Sequence, residues 1–326
     1  MTKITIAAAR AVAIGLLAAH AALATAQQVY PTKLIRMVVP YPAGGGIGLA
    51  GHLLSEKMSK SMGQPVIVDN IGGGNTTVGA STVARAAPDG YTIMLMAMPH
   101  VIVPLLFPTP YDAIKDFAPV ATVTSSEQVL VINPSVPANN LQELLSLAKS
   151  KPGEMFYATV GTGGPGHLAT ESINIMTGAR MTQVPYKIPG PALTDLISGQ
   201  VQVYLSVPNV TLPHIKTGRI KPIAVSGETR MTALPDVPTF AEAGLPGFDA
   251  RTWYGVVAPR DTPKPIIDKL AAEIAKALSQ PDVQEKLIAG GQLPFISSPE
   301  QFGALMKADM ARYEKIIKTA NVKGEQ

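Results

Sequence analysis

Two glycine-rich segments carry the strongest chemical signal in the chain. The first, Pro40-Tyr41-Pro42-Ala43-Gly44-Gly45-Gly46, lies between an apolar run at 35–39 and a helical stretch at 49–62. The second, Gly161-Thr162-Gly163-Gly164-Pro165-Gly166, holds the same position in the second half, after 156–160 and before 167–176. Glycines let a backbone turn tightly and aim several N–H groups one way. A helix N-terminus adds partial positive charge. Such a loop holds an anion, and a carboxylate suits it as well as a phosphate. One loop of this kind is as readily a plain tight turn. Two, one in each half at matching positions, point to a pair that grips one ligand. The candidate contacts are therefore Tyr41, Ala43, Gly44, Gly45 and Ile47 from the first loop, and Gly161, Thr162, Gly163, Gly164 and His167 from the second, with Thr162 as a hydroxyl donor. Pro99 and His100 follow a strand end, and Ser206 and Asn209 follow another, so both pairs join the list.

Other chemistries fit less well. Gly161, Gly163 and Gly166 spell G-x-G-x-x-G, but a dinucleotide site also needs an acid about 20 residues on. Tyr186 and Lys187 stand there, ahead of Asp195. A phosphate loop of the Walker type needs Gly-Lys-Ser/Thr, and Gly44 to Gly46 run into Ile47-Gly48. Ser146-x-x-Lys149 and Lys216-Thr217-Gly218 match penicillin-recognising fragments, but no Ser-Asp-Asn separates them. Ser146 falls inside a helical stretch, and 216–218 reads as a glycine-capped helix end. His52, His100, His167 and His214 are isolated and there is no cysteine, so neither a metal nor a cofactor is expected. A hydrolase would need a nucleophile with a base beside it. Ser206 with His100 or His167 is the one trio available, and nothing in the sequence places its members together. Asp69-Asn70 reads as turn chemistry and Glu171 as a solvated helix position.

The elements that would position these loops alternate between β-like and α-like. Strands are expected at 35–39, 66–70, 92–97, 128–132, 156–160, from 184, and at 201–205, 220–225 and 253–258. Helices are expected at 49–62, 77–86, 140–149, 167–176, 190–198, 265–278, 281–289 and 299–320. Strand–helix–strand units at this spacing predict parallel pairing with right-handed crossovers. The fold class is α/β, in two facing lobes: 27–125, then 126–249, then a return of 250–326 to the first lobe. The chain should cross near Ser125 and Glu127 and return near 248–251.

Composition agrees. Hydrophobic residues make up 46% of the chain, enough for two cores. Lys3 and Arg10, an apolar run at 11–22 and Ala24-Thr25-Ala26 read as an export leader over 1–26, cleaved to place the chain in the periplasm. The apolar run is shorter than the roughly 20 residues that a spanning helix needs. An exported chain without cysteine must hold itself by packing alone. The formal charge of +4 falls by two when Lys3 and Arg10 leave, and the basic residues are scattered. No nucleic-acid partner is expected, and the protein should act as a monomer.

Motifs along almost the whole mature chain resemble those of the extracytoplasmic solute receptors of tripartite tricarboxylate transporters, the Bug family. They are Tyr30-Pro31-x-Lys33, Val38-Val39-Pro40-Tyr41-Pro42-Ala43-Gly44-Gly45-Gly46, Ala87-Pro88-Asp89-Gly90-Tyr91-Thr92 and Lys115-Asp116-Phe117-Ala118-Pro119-Val120. In the second half they are Gly166-His167-Leu168-Ala169, Val184-Pro185-Tyr186-Lys187 and Pro191-Ala192-Leu193-Thr194-Asp195-Leu196. Leu234-Pro235-Asp236-Val237-Pro238-Thr239 and Glu242-Ala243-Gly244-Leu245-Pro246-Gly247 complete the set. The resemblance implies a type II periplasmic-binding-protein fold that closes on a ligand between its lobes. It also implies two membrane partners, one large and one small, and a carboxylate held by backbone N–H groups and waters from the two glycine loops. A sensory receptor with the same fold would carry the same motifs. The sequence departs from the family pattern at Ile47-Gly48, where Thr-Asp is usual, at His52, where an Arg is usual, and at Leu205-Ser206-Val207-Pro208-Asn209, where Phe-Asp-Asn is usual. Met96 to His100 is also more apolar than the pattern. These departures predict a more apolar pocket, suited to an aromatic or longer carboxylate.

Overall fold

Apolar runs of four to eight residues that are covered on both faces make the centre of each sheet. In the computed structural model, which describes residues 30–324, they sort into two sheets. The expected leader at 1–26 lies outside the described residues. The first sheet has the order β11-β4-β10-β3-β1-β2. It is built from β1 (Ile35–Val39), β2 (Val66–Asn70), β3 (Thr92–Ala97), β4 (Phe117–Ser126), β10 (Thr252–Pro259) and β11 (Leu293–Pro294). The second has the order β7-β6-β8-β5-β9. Its members are β5 (Val129–Ile132), β6 (Phe156–Val160), β7 (Thr182–Tyr186), β8 (Val203–Ser206) and β9 (Lys221–Val225). Strand β1 pairs in parallel with β2 and β3, as the strand–helix–strand spacing predicts, while β10 runs antiparallel between β3 and β4. The chain passes from the first sheet to the second between Ser126 and Val129 and comes back between Val225 and Thr252.

Ten helices among the described residues cover the faces: α1 (Gly45–Met62), α2 (Thr77–Ala84), α3 (Pro99–Leu106), α4 (Leu141–Ser150), α5 (Pro165–Thr177), α6 (Pro189–Ser198), α7 (Pro208–Lys216), α8 (Lys264–Leu278), α9 (Pro281–Ala289) and α10 (Pro299–Ala320). Side chains alternate along β1, and that alternation divides the first lobe's core. Met37 and Val39 pack under α1 and α8 with Leu54 and Ile274, while Val38 faces the other way, toward Trp253, Phe302 and Tyr313. Helix α1 ends at Gly63 in a left-handed cap, as expected.

Four expectations need correction. Helix α1 begins at Gly45 and α5 at Pro165, so the last two residues of each glycine loop are already helical. Strand β4 was not expected, because Pro119 and the small residues around it interrupt the β pattern; its pairing with β10 on one edge and β11 on the other supplies what local propensity does not. Helix α3 was hidden by its valines, isoleucine and internal Pro104. Of α7, which contains Pro213, only the C-terminal end was legible.

The two halves are joined by more than their crossings. At the return, Arg251 pairs with Glu228 and Asp249. Arg312 of α10 donates to the Asp249 carbonyl at 3.0 Å and to Asp309 at 2.8 Å, and the Trp253 indole donates to Asp309 at 2.7 Å. Leu168 of α5, fully buried, packs into the cluster formed by Trp253, Phe302 and Met306 of the other half. Removing a buried leucine costs its transfer free energy and leaves a cavity. Leu168→Ala is therefore expected to destabilise the protein by about 2–5 kcal/mol, read as a fall in the urea-unfolding midpoint.

Candidate functional site

Strands β1, β3, β6 and β8 all end toward the space between the sheets, where ligands bind in open α/β folds. Two adjoining cavities lie there. The inner one, of about 330 Å³, is lined from one side by Tyr41, Gly46, Ile47, Met98, Pro99 and Tyr254, and from the other by Val160, Pro165, Gly166, Tyr204, Ser206 and Val207, among others. The outer one, of about 440 Å³, is lined by Pro40, Pro42, Asn75, Thr76, Ile102, Val103 and Leu106 on one side and by Gly161 to Gly164 on the other. Tyr41 and Pro99 belong to both.

The first turns or cap residues of five helices line the inner cavity: α1 through Gly46 and Ile47, α3 through Met98 and Pro99, α5 through Pro165 and Gly166, α6 through Pro189, and α7 through Val207 and Val210. None of the five has a side-chain cap or an acid in its first turn. Two helices that point elsewhere are treated differently, although α8 is uncapped like the five. Asn140 caps α4, with Glu143 in its first turn, and a Ser298–Gln301 capping box closes α10. Uncapped first turns keep N–H groups and partial positive charge available. Among the described residues lining either cavity, none carries a formal charge. An anion here would be held by dipoles and hydroxyls. Burial raises the pKa values of the Tyr41 and Tyr254 phenols, and the neighbouring Tyr254 raises that of Tyr41 further, so both remain neutral donors.

The first loop is fixed from behind. The Asn70 amide donates to the Tyr41 carbonyl at 3.1 Å, and Gln292 Nε2 donates to the Gly46 carbonyl at 3.0 Å. Asn70 thus braces a loop distant in sequence instead of the local turn expected of it. Gly46 has no room for more: a Cβ there would stand 2.9 Å from Gln292 Nε2 and 3.0 Å from the Tyr254 hydroxyl. Gly166 is equally tight, its Cβ position lying 2.9 Å from the Leu205 carbonyl.

The structure brings Tyr41, Ile47, Pro99 and Ser206 to the inner cavity and Gly161, Thr162, Gly163 and Gly164 to the outer one. Ala43, Gly44 and Gly45 are exposed and line neither cavity, and the Cβ positions of Gly44 and Gly45 face open space. The inward-facing part of that loop is Gly46-Ile47, one helical step further on. Asn209 is exposed on α7, beside Gly291. The second loop is not an open ring of donors: the Gly161 N–H donates to the Tyr186 carbonyl and the Gly163 N–H to His167 Nδ1, both at 2.9 Å. His167 therefore braces the loop from within. His100 is 2% exposed, stacks on Tyr111 and bonds the Ala113 carbonyl at 3.2 Å. Neither imidazole meets Ser206, so the trio considered for hydrolysis is not assembled. Among the described residues no cluster of His, Asp or Glu could hold a metal, and no helix is long and apolar enough to cross a membrane.

Sequence reasoning missed Gly166, Tyr204, Val207, Val210 and Tyr254. Strands covered on both faces carry no alternation to show which side meets a ligand, so Tyr204 and Tyr254 were unmarked. Gly166 was inside a recognised loop but not singled out.

A cleft between two α/β sheets, entered by both and lined by helix starts, defines a two-lobed solute receptor. The tripartite tricarboxylate transporter family receptor model matches residues 51–322. BugT of Bordetella pertussis is 34% identical over 315 residues, covering 95% of this chain and 97% of BugT. A structure of an R. palustris protein with adipate is 34% identical with a TM-score of 0.75, covering 91% of this chain and all of the other. MatC from Rhodopseudomonas palustris with bound malate is 33% identical with a TM-score of 0.71, over 88% of this chain and all of MatC. The chain belongs to the tripartite tricarboxylate transporter receptor family, and its fold is the two-lobed periplasmic-binding-protein fold that the resemblance implied.

The buried histidines set a pH dependence. Burial lowers the pKa of His100 from 6.5 to about 4, against the pull of the Ala113 carbonyl, and lowers that of His167 to about 4 as well. Both are neutral in the folded protein and bind protons more readily once unfolded. Stability is thus intact above pH 6.5 and falls as the pH drops toward about 4. Urea-unfolding midpoints measured across this window should decline, and His100→Gln should flatten the decline.

Proposed function

We propose that this protein is a periplasmic receptor that captures a small organic carboxylate for a tripartite transporter and performs no chemistry on it. The observation that carries the reading is the convergence of five uncapped helix N-termini on a cavity without charged side chains. This field stabilises an anion and gives no purchase to a cation. The adipate and malate bound by the two R. palustris relatives support a carboxylate. The leader at 1–26 delivers the chain to the periplasm. Residues 27–125 and 250–326 form one lobe and 126–249 the other, and rotation about the two crossings closes them on the ligand. The loaded monomer is then read by one large and one small membrane subunit. Tyr41, Ile47, Pro99 and Ser206 contact the ligand together with Gly46, Gly166 and Tyr254, while Gly161 to Gly164 close the outer side.

A ligand that binds only the native state raises its melting temperature, by the equivalent of about 2.7 kcal/mol at a hundredfold excess over Kd. A thermal-shift screen of mono-, di- and tricarboxylates and aromatic acids should find at least one such acid. If neutral or cationic compounds raise the melting temperature and no acid does, the reading is wrong. Gly46→Ala should displace Gln292 and Tyr254, reshape the inner cavity that Tyr254 lines and weaken the acid found by roughly tenfold, about 1.4 kcal/mol, with the fold intact. Titration calorimetry on the variant checks this.

A further inference from the structure

The two cavities differ in chemistry, and the difference narrows the ligand. Five helix starts converge on the inner cavity, while three reach the outer one, through Thr76 of α2, Pro99 of α3 and Gly164 of α5. The outer cavity has an apolar wall supplied by one face of α3, namely Ile102, Val103 and Leu106, continued by Phe107 and by Pro40 and Pro42. Tyr41 and Pro99 line both cavities and so form the neck between them. The polar residues of the outer cavity, Asn75, Thr76 and Thr162, are neutral, and no Lys, Arg or His lines it. The nearby Gly161 and Gly163 N–H groups are already given to Tyr186 and His167.

We propose that the receptor selects monocarboxylic acids with an extended apolar body, aromatic or aliphatic. The carboxylate lies among the helix starts of the inner cavity, and the body passes the neck and rests on α3. This narrowing rests on the carboxylate-capture reading above. A second carboxylate at the far end would be pressed against the α3 wall, where it loses hydration and meets neither a cation nor the five converging helix starts that hold the first, and burying an unpaired charge is strongly unfavourable. A methylene entering the same space gains by leaving water. The diacids seen in the two R. palustris relatives are thus not the preferred ligands of this chain. Ile47 works in the same direction, since it puts an aliphatic side chain on the inner wall and is itself 7% exposed.

Titration calorimetry of the purified protein with acids matched in length tests this. The probes are propionate, pentanoate and heptanoate, with 3-phenylpropionate, against the diacids glutarate and pimelate. Affinity should rise roughly fourfold per methylene along the monoacids, the equivalent of about 0.8 kcal/mol each. Heptanoate should bind at least tenfold more tightly than pimelate. Leu106→Ala and Val103→Thr, which shorten or polarise the wall, should each weaken heptanoate several-fold and change propionate much less. If pimelate binds as tightly as heptanoate, carboxylate capture stands and the narrowing falls. The narrowing also falls if both variants weaken propionate and heptanoate alike, because the body then lies elsewhere. If no acid of either series binds, the capture reading itself fails and the narrowing with it.

Discussion

The structure is organised around the uncompensated positive ends of helices. A strand followed by a helix in a parallel sheet places the helix start at the carboxyl end of the strand. Two such sheets facing each other bring the starts of α1, α3, α5, α6 and α7 to one cavity. Leaving those ends without caps forgoes about 1 kcal/mol per helix that a Ser, Asp or Asn cap would give. Packing offsets the loss. Helix α1 lies over the first sheet with Leu53, Leu54 and Met58 in the core, and α5 contributes Leu168, Ala169 and Ile173. Caps and first-turn acids appear on α4 and α10, whose starts do not line the cleft.

The same arrangement explains the departures from the family pattern. Where that pattern has Thr-Asp, this chain has Ile47, facing the inner cavity, and the buried Gly48, with open space where a Cβ would stand. Where an acid is usual in the second lobe, Ser206 lines the cavity instead. Both changes leave the wall neutral. The helix ends then stand without a nearby carboxylate to oppose them, beside the neutral phenols of Tyr41 and Tyr254.

Much of this was legible in the sequence and some of it could not be. Strands β1, β2, β3 and β6 fell where apolar runs placed them, because short buried strands with flanking glycine and proline are locally marked. The glycine loops marked the two strand ends that matter. What the loops do was less visible. Ala43, Gly44 and Gly45 look like a nest in sequence but face solvent, and the helix starts at Gly45, four residues before the point that its apolar periodicity suggests. His100 and His167 look like ligand contacts but are core groups, one stacked on Tyr111 and one bracing its own loop. Strand β4 and helix α3 depend on tertiary partners, the first on β10 and the second on the Trp253–Tyr313 cluster. No local pattern carries that information.

Gly163 adds a mechanical constraint. Its backbone is left-handed, with φ of 77°, and a Cβ there would come within 2.1 Å of Leu106 Cδ1 on the opposite lobe. The glycine therefore does more than permit a turn. It leaves the room that the tip of Leu106 occupies, so the two sides of the outer cavity meet here as a side chain against bare backbone. A larger residue here would have to turn the Leu106 side chain aside and strain the left-handed backbone, with the helix starts around the inner cavity unchanged.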